Sequence, residues 1–358
     1  MRREPKGASQ GRALRIEPER LRYRALIGTG GIGSGAFFAL RGNHTLGREE
    51  SRGGRFLDRR DYCKLHIIAH YVQTLLGPRF ETMPLGKVGD DEMGRALLAE
   101  MQDAGMDVRY AACSPGEQTL YSLCFIYPDG SGGNLTTDDS ASSEVDGAFI
   151  RTAEVEFSRH AGRGIALAAP EVPLEGREAL LDLGAQYDFV RAASFTTEEM
   201  RGVVDSGLLQ KVNLLGVNLE EAAAGVGLTL TAEEPVAHLA EQAVERLTRA
   251  NPRLLVSITA GARGSWSWDG SSLMHVPKCE AELVSSAGAG DAHLSGLIVG
   301  LAAGLSLAQA HELAALVAGL SVTSPHTINK EIGRGTLRQL AGDCGARLSE
   351  GVRDLLEE

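Results

Sequence analysis

The chain has 358 residues and carries 36 lysine and arginine side chains against 47 aspartate and glutamate side chains, for a formal net charge of −11. This acidic balance argues against general attraction to nucleic acid or to an anionic membrane surface. The first 20 residues are charged and lack the apolar stretch of a signal peptide or membrane anchor. We therefore expect residues 1–20 to form a flexible tail on a cytoplasmic protein.

The first strand pattern, YRALIGTG, runs into GTGGIGSG at residues 28–35, which has the glycine spacing of a dinucleotide-binding turn. Such a turn needs a following helix whose N-terminus binds pyrophosphate. The next residues, SGAFFALRGNHTLG, contain three glycines and a Phe-Phe pair, and they favour a strand instead. The segment therefore predicts a glycine-rich strand end that lines a pocket, and an NAD-dependent oxidoreductase is kept as the less favoured alternative.

Strand and helix patterns then alternate along the chain, beginning with a helix that ends at Gly77 and a second helix that stops at Gly105. This alternation predicts an α/β fold with a mainly parallel sheet sandwiched by helices, over residues 21–345. Residues 346–358 are expected to form a C-terminal tail. Two stretches rich in strand and turn signals, at about residues 34–60 and 118–140, predict a small β lid added to this sheet.

The cysteines are scattered along the chain and show no Cys-x-x-Cys spacing; they are Cys63, Cys113, Cys124, Cys279 and Cys344. This pattern indicates free thiols in a reducing compartment rather than zinc ligands or a redox pair.

The most informative stretch is ELVSSAGAGDAHLSGLIVGLAAG, in which Gly288, Ala289, Gly290 and Asp291 directly precede a run of small and apolar residues. A helix N-terminus next to glycines can bind an anion through its free N–H groups. Asp291 could be a helix cap, or it could accept a proton from an attacking hydroxyl. The local pattern leaves both roles open.

Four segments, in this order along the chain, resemble motifs of the PfkB/ribokinase family of carbohydrate kinases. They are GKVGDDEMGRALLAEMQDAGMDV, GVNLEEA, SITAGARGSWSW and SSAGAGDAHLSG, and the resemblance extends over about residues 21–330. It implies a ribokinase-like fold and a kinase that transfers the γ-phosphoryl group of ATP to a hydroxyl of a sugar-like small molecule, with Mg²⁺ as cofactor. A lid that pairs between subunits, and hence a homodimer, is a further implication.

The resemblance also implies roles for single residues. Asp291 matches the catalytic base, and Gly288, Ala289 and Gly290 match the anion hole. The nucleotide-side positions are Asn218, Glu221, Thr259, Gly261 and Gly264, and Glu221 would order Mg²⁺ through water. From the residues alone, the favoured interpretations are a helix N-terminal pair for Asn218 and Glu221 and a turn at a strand end for Gly261 and Gly264. The order of the motifs along the chain favours the nucleotide roles instead.

The sequence departs from the family where sugar is usually bound. The expected aspartate after the first strand falls at Gly33 or Ser34, and CKLHII stands in the place of Gly-Gly-x-x-x-Asn. The region offers other candidates for acceptor contacts, each of which could also be a solvated or capping side chain: Gly31, Gly33, Ser34, Asp61, Lys64 and His66. A catalytically silent ligand-binding protein on the same fold is therefore a second interpretation.

A further departure concerns a monovalent cation. The residue six positions before Asp291, acidic in members that bind potassium, is Ser285 here, which argues against such a site. In SVTSPHTINKEI, near the C-terminal end, His326 and Asn329 are candidate nucleotide contacts, and a plain surface loop is an equal interpretation.

Overall fold

The structure, a computed structural model, describes residues 12–129, 132–231 and 234–357. Within these ranges the strands are β1 (Ala25–Thr29), β2 (Gly33–Leu40), β3 (Gly54–Tyr62), β4 (Glu81–Gly89), β5 (Ala111–Ser114), β6 (Leu120–Ile126), β7 (Gly132–Thr136), β8 (Gly164–Ala168), β9 (Val190–Ala193), β10 (Leu214–Asn218), β11 (Leu255–Thr259), β12 (Ser265–Trp268) and β13 (Leu273–Val276). The helices are α1 (Lys64–Leu76), α2 (Glu92–Asp103), α3 (Gly147–Arg151), α4 (Glu154–Arg159), α5 (Leu174–Gln186), α6 (Thr197–Asp205), α7 (Leu219–Val226), α8 (Val236–Ala250), α9 (Ala289–Ala302), α10 (Leu307–Ser321), α11 (Arg334–Asp343) and α12 (Glu350–Leu356).

A large, mostly parallel sheet forms the centre of the fold, as the alternating pattern predicts. The described strands follow the order β13-β12-β11-β10-β9-β8-β1-β4-β5, and only β12 and β13 run antiparallel to their neighbours. Parallel neighbours end at the same edge of a sheet, so loops that follow β1, β8, β9, β10 and β11 gather there. That edge carries the candidate site.

Helices cover both faces of this sheet because its central strands are apolar on both sides. In β1, Leu26 packs into a core with α1, α2 and α9–α12, whereas Ile27 packs into a core with α3–α8. Successive strand residues point to opposite faces, which places these neighbours in different cores. None of the helices in the described ranges combines the length and apolarity needed to cross a bilayer.

A second, smaller sheet is built from the two segments that carry strand and turn signals. The described strands are ordered β3-β2-β6-β7, with β2 and β6 parallel and the outer pairs antiparallel. The Phe-Phe pair lies in β2, so the chain continues from β1 into a strand and no helix follows Gly33. The dinucleotide-binding geometry suggested by GTGGIGSG is therefore absent from this part of the described chain.

Parts of both segments that were expected to be tails are packed against the rest of the protein. Residues 1–11 of the expected N-terminal tail lie outside the described residues. From Leu14 onward the chain is packed, with Leu14 and Ile16 buried and the Leu14 amide donating to Leu75 O at 2.8 Å. The expected C-terminal tail instead contains α12, which buries Val352, Leu355 and Leu356. Apolar residues at helical spacing explain this packing.

The cysteines are not all free. Cys279 and Cys344 form a disulfide with Cα atoms 5.9 Å apart and a sequence separation of 65 residues, whereas Cys63, Cys113 and Cys124 are free thiols. Cys279 lies in the link between β13 and α9, and Cys344 follows α11. No local spacing marks this pair, because the two residues meet only through tertiary packing.

Replacing Cys344 with serine is expected to lower the free energy of unfolding by about 2–4 kcal/mol, since the cross-link restricts a long loop in the unfolded chain. Urea unfolding with and without a dithiol reductant measures this effect. The reductant should destabilise the unmodified protein and a Cys113→Ser control, which changes an exposed free thiol, but not the Cys344→Ser variant. An unmodified protein that is insensitive to the reductant would contradict the assignment.

Candidate active site

The N-terminus of α9 forms a turn suited to an anion. Gly288 is the N-cap with φ 79°, a left-handed conformation that favours glycine, and Asp291 is the third residue of the helix rather than its cap. The Ala289 amide already donates to Ser286 O at 3.2 Å. Gly290 and Asp291 therefore supply first-turn amides for which the helix has no acceptor. The anion hole at Gly288–Gly290 therefore stays a prediction, for which the amides of Gly290 and Asp291 are the available donors.

Asn218 and Glu221 form a reciprocal capping pair at the start of α7. The Glu221 amide donates to Asn218 Oδ1 at 2.8 Å, and the Asn218 amide donates to Glu221 Oε2 at 2.8 Å. The helix N-terminal pair considered from the sequence is thus present. Both residues also line the cavity described below, so capping and ligand contact are compatible.

Thr259 brings the third motif next to the second and the fourth. It ends β11 and is the register partner of Asn218 at the end of β10. A Cβ atom built on Gly290 would lie 3.9 Å from Thr259 Oγ1. The loop that follows contains Gly264 with φ 84°, where a side chain would collide with the backbone of residues 276–278. Glycine at this position therefore has a structural reason.

One cavity of about 450 Å³ joins these segments. All the nucleotide-side and anion-hole candidates of the family motifs line it: Asn218, Glu221, Thr259, Gly261, Gly264, Gly288, Ala289, Gly290 and Asp291. Apolar residues also line it, including Pro277, Cys279 and Ala281 from the β13–α9 link and Ala315 and Val322 of the α10 region, with Lys278 as the charged residue of that link. A cavity that combines apolar residues with a part suited to an anion suits a nucleotide.

Lys64 lies at the polar end of the cavity, among carboxylates. Asp291 has the largest effect on its ammonium, followed by Glu221 and Glu171, and these charges raise the pKa of Lys64 although burial opposes them. Burial in turn raises the pKa of Asp291, and the Lys64 charge partly offsets this rise. A desolvated carboxylate beside a cation is a suitable proton acceptor, because it is more basic than in water.

Glu171 is the functional candidate that sequence reasoning missed. It follows β8 with φ 75°, a strained conformation for a residue other than glycine, and its Oε2 accepts the Lys64 amide at 3.1 Å. Its side chain covers Gly31, where any Cβ atom would collide with Glu171 Oε2. The sequence signal was a single acid directly after a buried strand, at the edge where parallel sheets bind ligands.

Burial raises the pKa of Glu171 to about 7, with Lys64 opposing the rise. The folded state therefore binds this proton more tightly than the unfolded state, and the carboxyl lowers stability as pH rises from its unfolded value near 4.5 through 7. Replacing Glu171 with glutamine should raise the free energy of unfolding at pH 8 by an amount on the order of 2 kcal/mol, with little change at pH 4.5.

Urea titrations at the two pH values measure this difference. The exposed Glu175, in the first turn of α5, provides a matched control as Glu175→Gln, which should behave alike at both pH values. Equal effects of both substitutions at pH 8 would argue against a buried Glu171 carboxyl.

Most acceptor-side candidates lie next to the small sheet instead of lining this cavity. The Ser34 hydroxyl donates to Asp61 O at 3.2 Å and accepts from Arg60 Nε at 3.2 Å. The Asp61 carboxylate is buried and accepts from Ser122 Oγ at 2.5 Å. Gly33 packs directly against Leu120, and Gly31 packs against Glu171. Lys64 alone among the predicted acceptor contacts is in the cavity lining.

His66 is buried within α1, with its ring 4.9 Å from that of Tyr62 and 6.5 Å from that of His70. Burial lowers its pKa well below the usual value, and its Nδ1 has no partner among the described residues. It is therefore a neutral imidazole in the core, outside the cavity lining.

His326 and Asn329 also make contacts within the protein and are not in the cavity lining. His326 Nδ1 accepts the Arg60 amide at 2.9 Å, and Asn329 Nδ2 donates to Leu320 O at 2.8 Å. The segment is a buried connection rather than the plain surface loop that the sequence left open.

Comparison with known proteins gives a family match and two curated relatives. Residues 68–332 match the pfkB family carbohydrate kinases. A putative sugar kinase of Pyrococcus horikoshii is 25% identical over 240 residues, which are 66% of this chain and 73% of that protein. The bifunctional protein HldE of Methylobacillus flagellatus is 24% identical over 269 residues, covering 73% of this chain. The chain spans about half of that relative, since the match covers 52% of the length of HldE.

Solved structures show the same fold at low identity. Ribokinase from Cryptococcus neoformans, in complex with ADP, superimposes with a TM-score of 0.73 and 18% identity, covering 90% of this chain and 99% of that one. Adenosine kinase from Sinorhizobium meliloti superimposes with a TM-score of 0.68 and 16% identity, covering 90% of this chain and 99% of that one. The fold is thus the ribokinase-like α/β sandwich predicted from the sequence. The family match over residues 68–332 shows that the chain belongs to the PfkB family of carbohydrate kinases.

Proposed function

We propose that this protein transfers the γ-phosphoryl group of ATP to a hydroxyl of a sugar or sugar-like small molecule. One observation carries the proposal: segments spread over residues 218–291, at Asn218, Thr259, Gly264 and Gly288–Asp291, line a single cavity, one part of which is suited to an anion. A fold alone would not require these polar groups to converge.

Asp291 is the proposed general base. It accepts the proton of the acceptor hydroxyl while the hydroxyl oxygen bonds to the γ-phosphorus and the bond from that phosphorus to the ADP oxygen breaks. The amides of Gly290 and Asp291, with Gly288 and Ala289 shaping the turn, stabilise the negative charge of the transferred group. Asn218, Glu221, Thr259, Gly261 and Gly264 position the nucleotide.

The residues present also suit Mg²⁺. Glu221 lines the cavity, and only its Oε2 takes part in the capping pair with Asn218, so a carboxylate oxygen is left for a hydrated ion. When bound, the metal neutralises phosphate charge and keeps the phosphates in line. Ser285 argues against a monovalent-cation site here.

The acceptor side is the unusual part of this chain. We propose that Lys64 and Glu171 contact the acceptor, together with Gly31, Gly33, Ser34 and Asp61 if the small sheet moves. The small sheet would act as a lid that excludes water and so limits ATP hydrolysis. His66 is buried within α1 and outside the cavity lining, so it is not included among these contacts.

A homodimer through the small sheet is a further proposal. Phe56 and Leu135 are 65% and 60% exposed, and the strand register puts them on one face of that sheet. Exposed apolar residues clustered on one face favour association. Light scattering of a Phe56→Ser, Leu135→Ser double variant tests this, and unchanged mass would contradict it.

The decisive experiment for the activity is a screen of the purified protein for ADP formation that depends on Mg²⁺ and ATP. The acceptor panel contains sugars, sugar acids, polyols, sugar phosphates and nucleosides. We expect one class to give turnover. Saturable ATP binding without turnover would favour a catalytically silent ligand-binding protein, and tight NAD(H) binding that does not need Mg²⁺ would favour an oxidoreductase.

A further inference from the structure

Strand β3 is the outer strand of the small sheet, so every second N–H and C=O group along it points away from β2. Two residues of the segment after α10 supply partners. The Arg60 amide donates to His326 Nδ1 at 2.9 Å, and the Tyr62 amide donates to Thr327 Oγ1 at 2.8 Å. The Thr327 amide donates back to Arg60 O at 3.2 Å. Thr327 is thus tied to the carboxyl end of β3.

The other side of Thr327 touches the anion-binding turn. A Cβ atom built on Gly288 would lie 2.9 Å from Thr327 O and 3.1 Å from Thr327 Cβ. The backbone of Thr327 therefore lies directly against Gly288, the N-cap of α9. Any shift of Thr327 toward α9 must move Gly288, because close-packed interiors transmit displacement.

Thr327 is also held from a third direction. The Tyr71 hydroxyl, on α1, donates to Thr327 O at 3.4 Å and accepts the Asn329 amide at 2.8 Å. Thr327 is only 2% exposed, so water does not replace these partners. Its hydroxyl and amide contact the small sheet, while its carbonyl oxygen and Cβ lie against the turn at Gly288.

We propose that Thr327 is a positioning residue that couples the small sheet to the anion-binding turn at Gly288. This inference rests on the proposed function, which assigns that turn to phosphate. When the small sheet moves over the acceptor, the Tyr62–Thr327 bond carries the change to the N-cap of α9. By reciprocity, a nucleotide bound at α9 must order the end of β3.

Two substitutions at Thr327 separate the hydroxyl from the shape of the side chain. Thr327→Val keeps the branched shape and leaves the buried Tyr62 amide without an acceptor. Thr327→Ser keeps the hydroxyl. A control is Thr137→Val, since Thr137 makes similar contacts with another strand of the small sheet, at an exposed position: its hydroxyl accepts the Tyr121 amide at 3.1 Å and its amide donates to Tyr121 O at 3.0 Å.

Hydrogen exchange of the protein without nucleotide tests the coupling directly. In Thr327→Val, amide exchange should become about tenfold faster in peptides from both β3 and the first turns of α9. Thr327→Ser should match the unmodified protein, and Thr137→Val should affect β6 and β7 only. Faster exchange confined to β3 in Thr327→Val would overturn the proposal.

Addition of Mg·ADP distinguishes the coupling from the proposed function. Nucleotide should slow exchange at α9 and also at β3 in the unmodified protein and in Thr327→Ser, but at α9 alone in Thr327→Val. Slowing at β3 that persists in Thr327→Val would overturn the coupling. Failure of the unmodified protein to bind Mg·ADP would overturn the nucleotide assignment, while the exchange results without nucleotide would still decide the role of Thr327.

Discussion

Replacing Asp291 with asparagine is expected to lower kcat for phosphoryl transfer by about 10³-fold, because a positioned general base contributes about 10² to 10⁴ in rate. Asparagine has nearly the same shape but cannot accept the proton of the acceptor hydroxyl. The first-turn amides of α9 remain, so the affinity for Mg·ADP should stay within about threefold. Steady-state rates with the acceptor found in the screen, and calorimetry with Mg·ADP, measure the two quantities.

Asp146→Asn is the matched control for this substitution. Asp146 is an exposed residue at the start of α3, where its carboxylate accepts the Phe149 amide at 2.7 Å. Asparagine caps helices equally well, so both rate and stability should be unchanged. Turnover by Asp291→Asn at the rate of this control would remove Asp291 from the mechanism and leave another group as the base.

Replacing Lys64 with methionine should move the acid limb of the pH–rate profile to higher pH. The Lys64 ammonium lowers the pKa of Asp291, Glu221 and Glu171, so its loss lets burial raise the pKa of each carboxyl further. Asp291 is then protonated over a wider pH range and cannot act as a base. We expect a loss of about tenfold in kcat at pH 6, with partial recovery at pH 9.

The same substitution should reduce the free energy of unfolding at pH 8 by about 2 kcal/mol, less than the cost of breaking a fully buried ion pair, because Lys64 is partly exposed. Lys211→Met is the control, since Lys211 contacts Glu178 at 2.8 Å and Asp182 at 2.6 Å and none of the three lines the cavity. It should leave the pH–rate profile in place. An unchanged pH–rate profile in Lys64→Met would show that the Lys64 ammonium does not affect the protonation of Asp291.

Much of the fold was readable from the sequence because its signals are local. Helix α1 ends at Leu76 with Gly77 as its C-cap, as the Leu-Leu-Gly ending predicts. The strand character of the Phe-Phe segment is confirmed by β2. These patterns depend on residues within one or two turns of each other, so no tertiary information is needed to interpret them.

The candidate site was only partly predictable. The four ordered motifs pointed to Asn218, Thr259 and Asp291, all of which line the cavity. Glu171 was missed because an acid between two prolines has no distinctive local pattern. His326 and Asn329 were assigned to the nucleotide by their position in the chain, but their side chains bond to Arg60 and Leu320.

The sequence by itself predicted the alternation of strands and helices along the chain, because apolar periodicity acts over short distances. It also indicated the family, through the resemblance of four ordered motifs, and the glycine-flanked start of α9. Only the tertiary structure decided that Lys64 faces Asp291, Glu221 and Glu171, that Cys279 meets Cys344, and that Thr327 lies between β3 and Gly288. Charge, burial and cross-linking depend on which strand ends and links meet in space. The order of strands in the sheet and the packing of the helices decide which of these residues come into contact, and residue spacing along the chain does not.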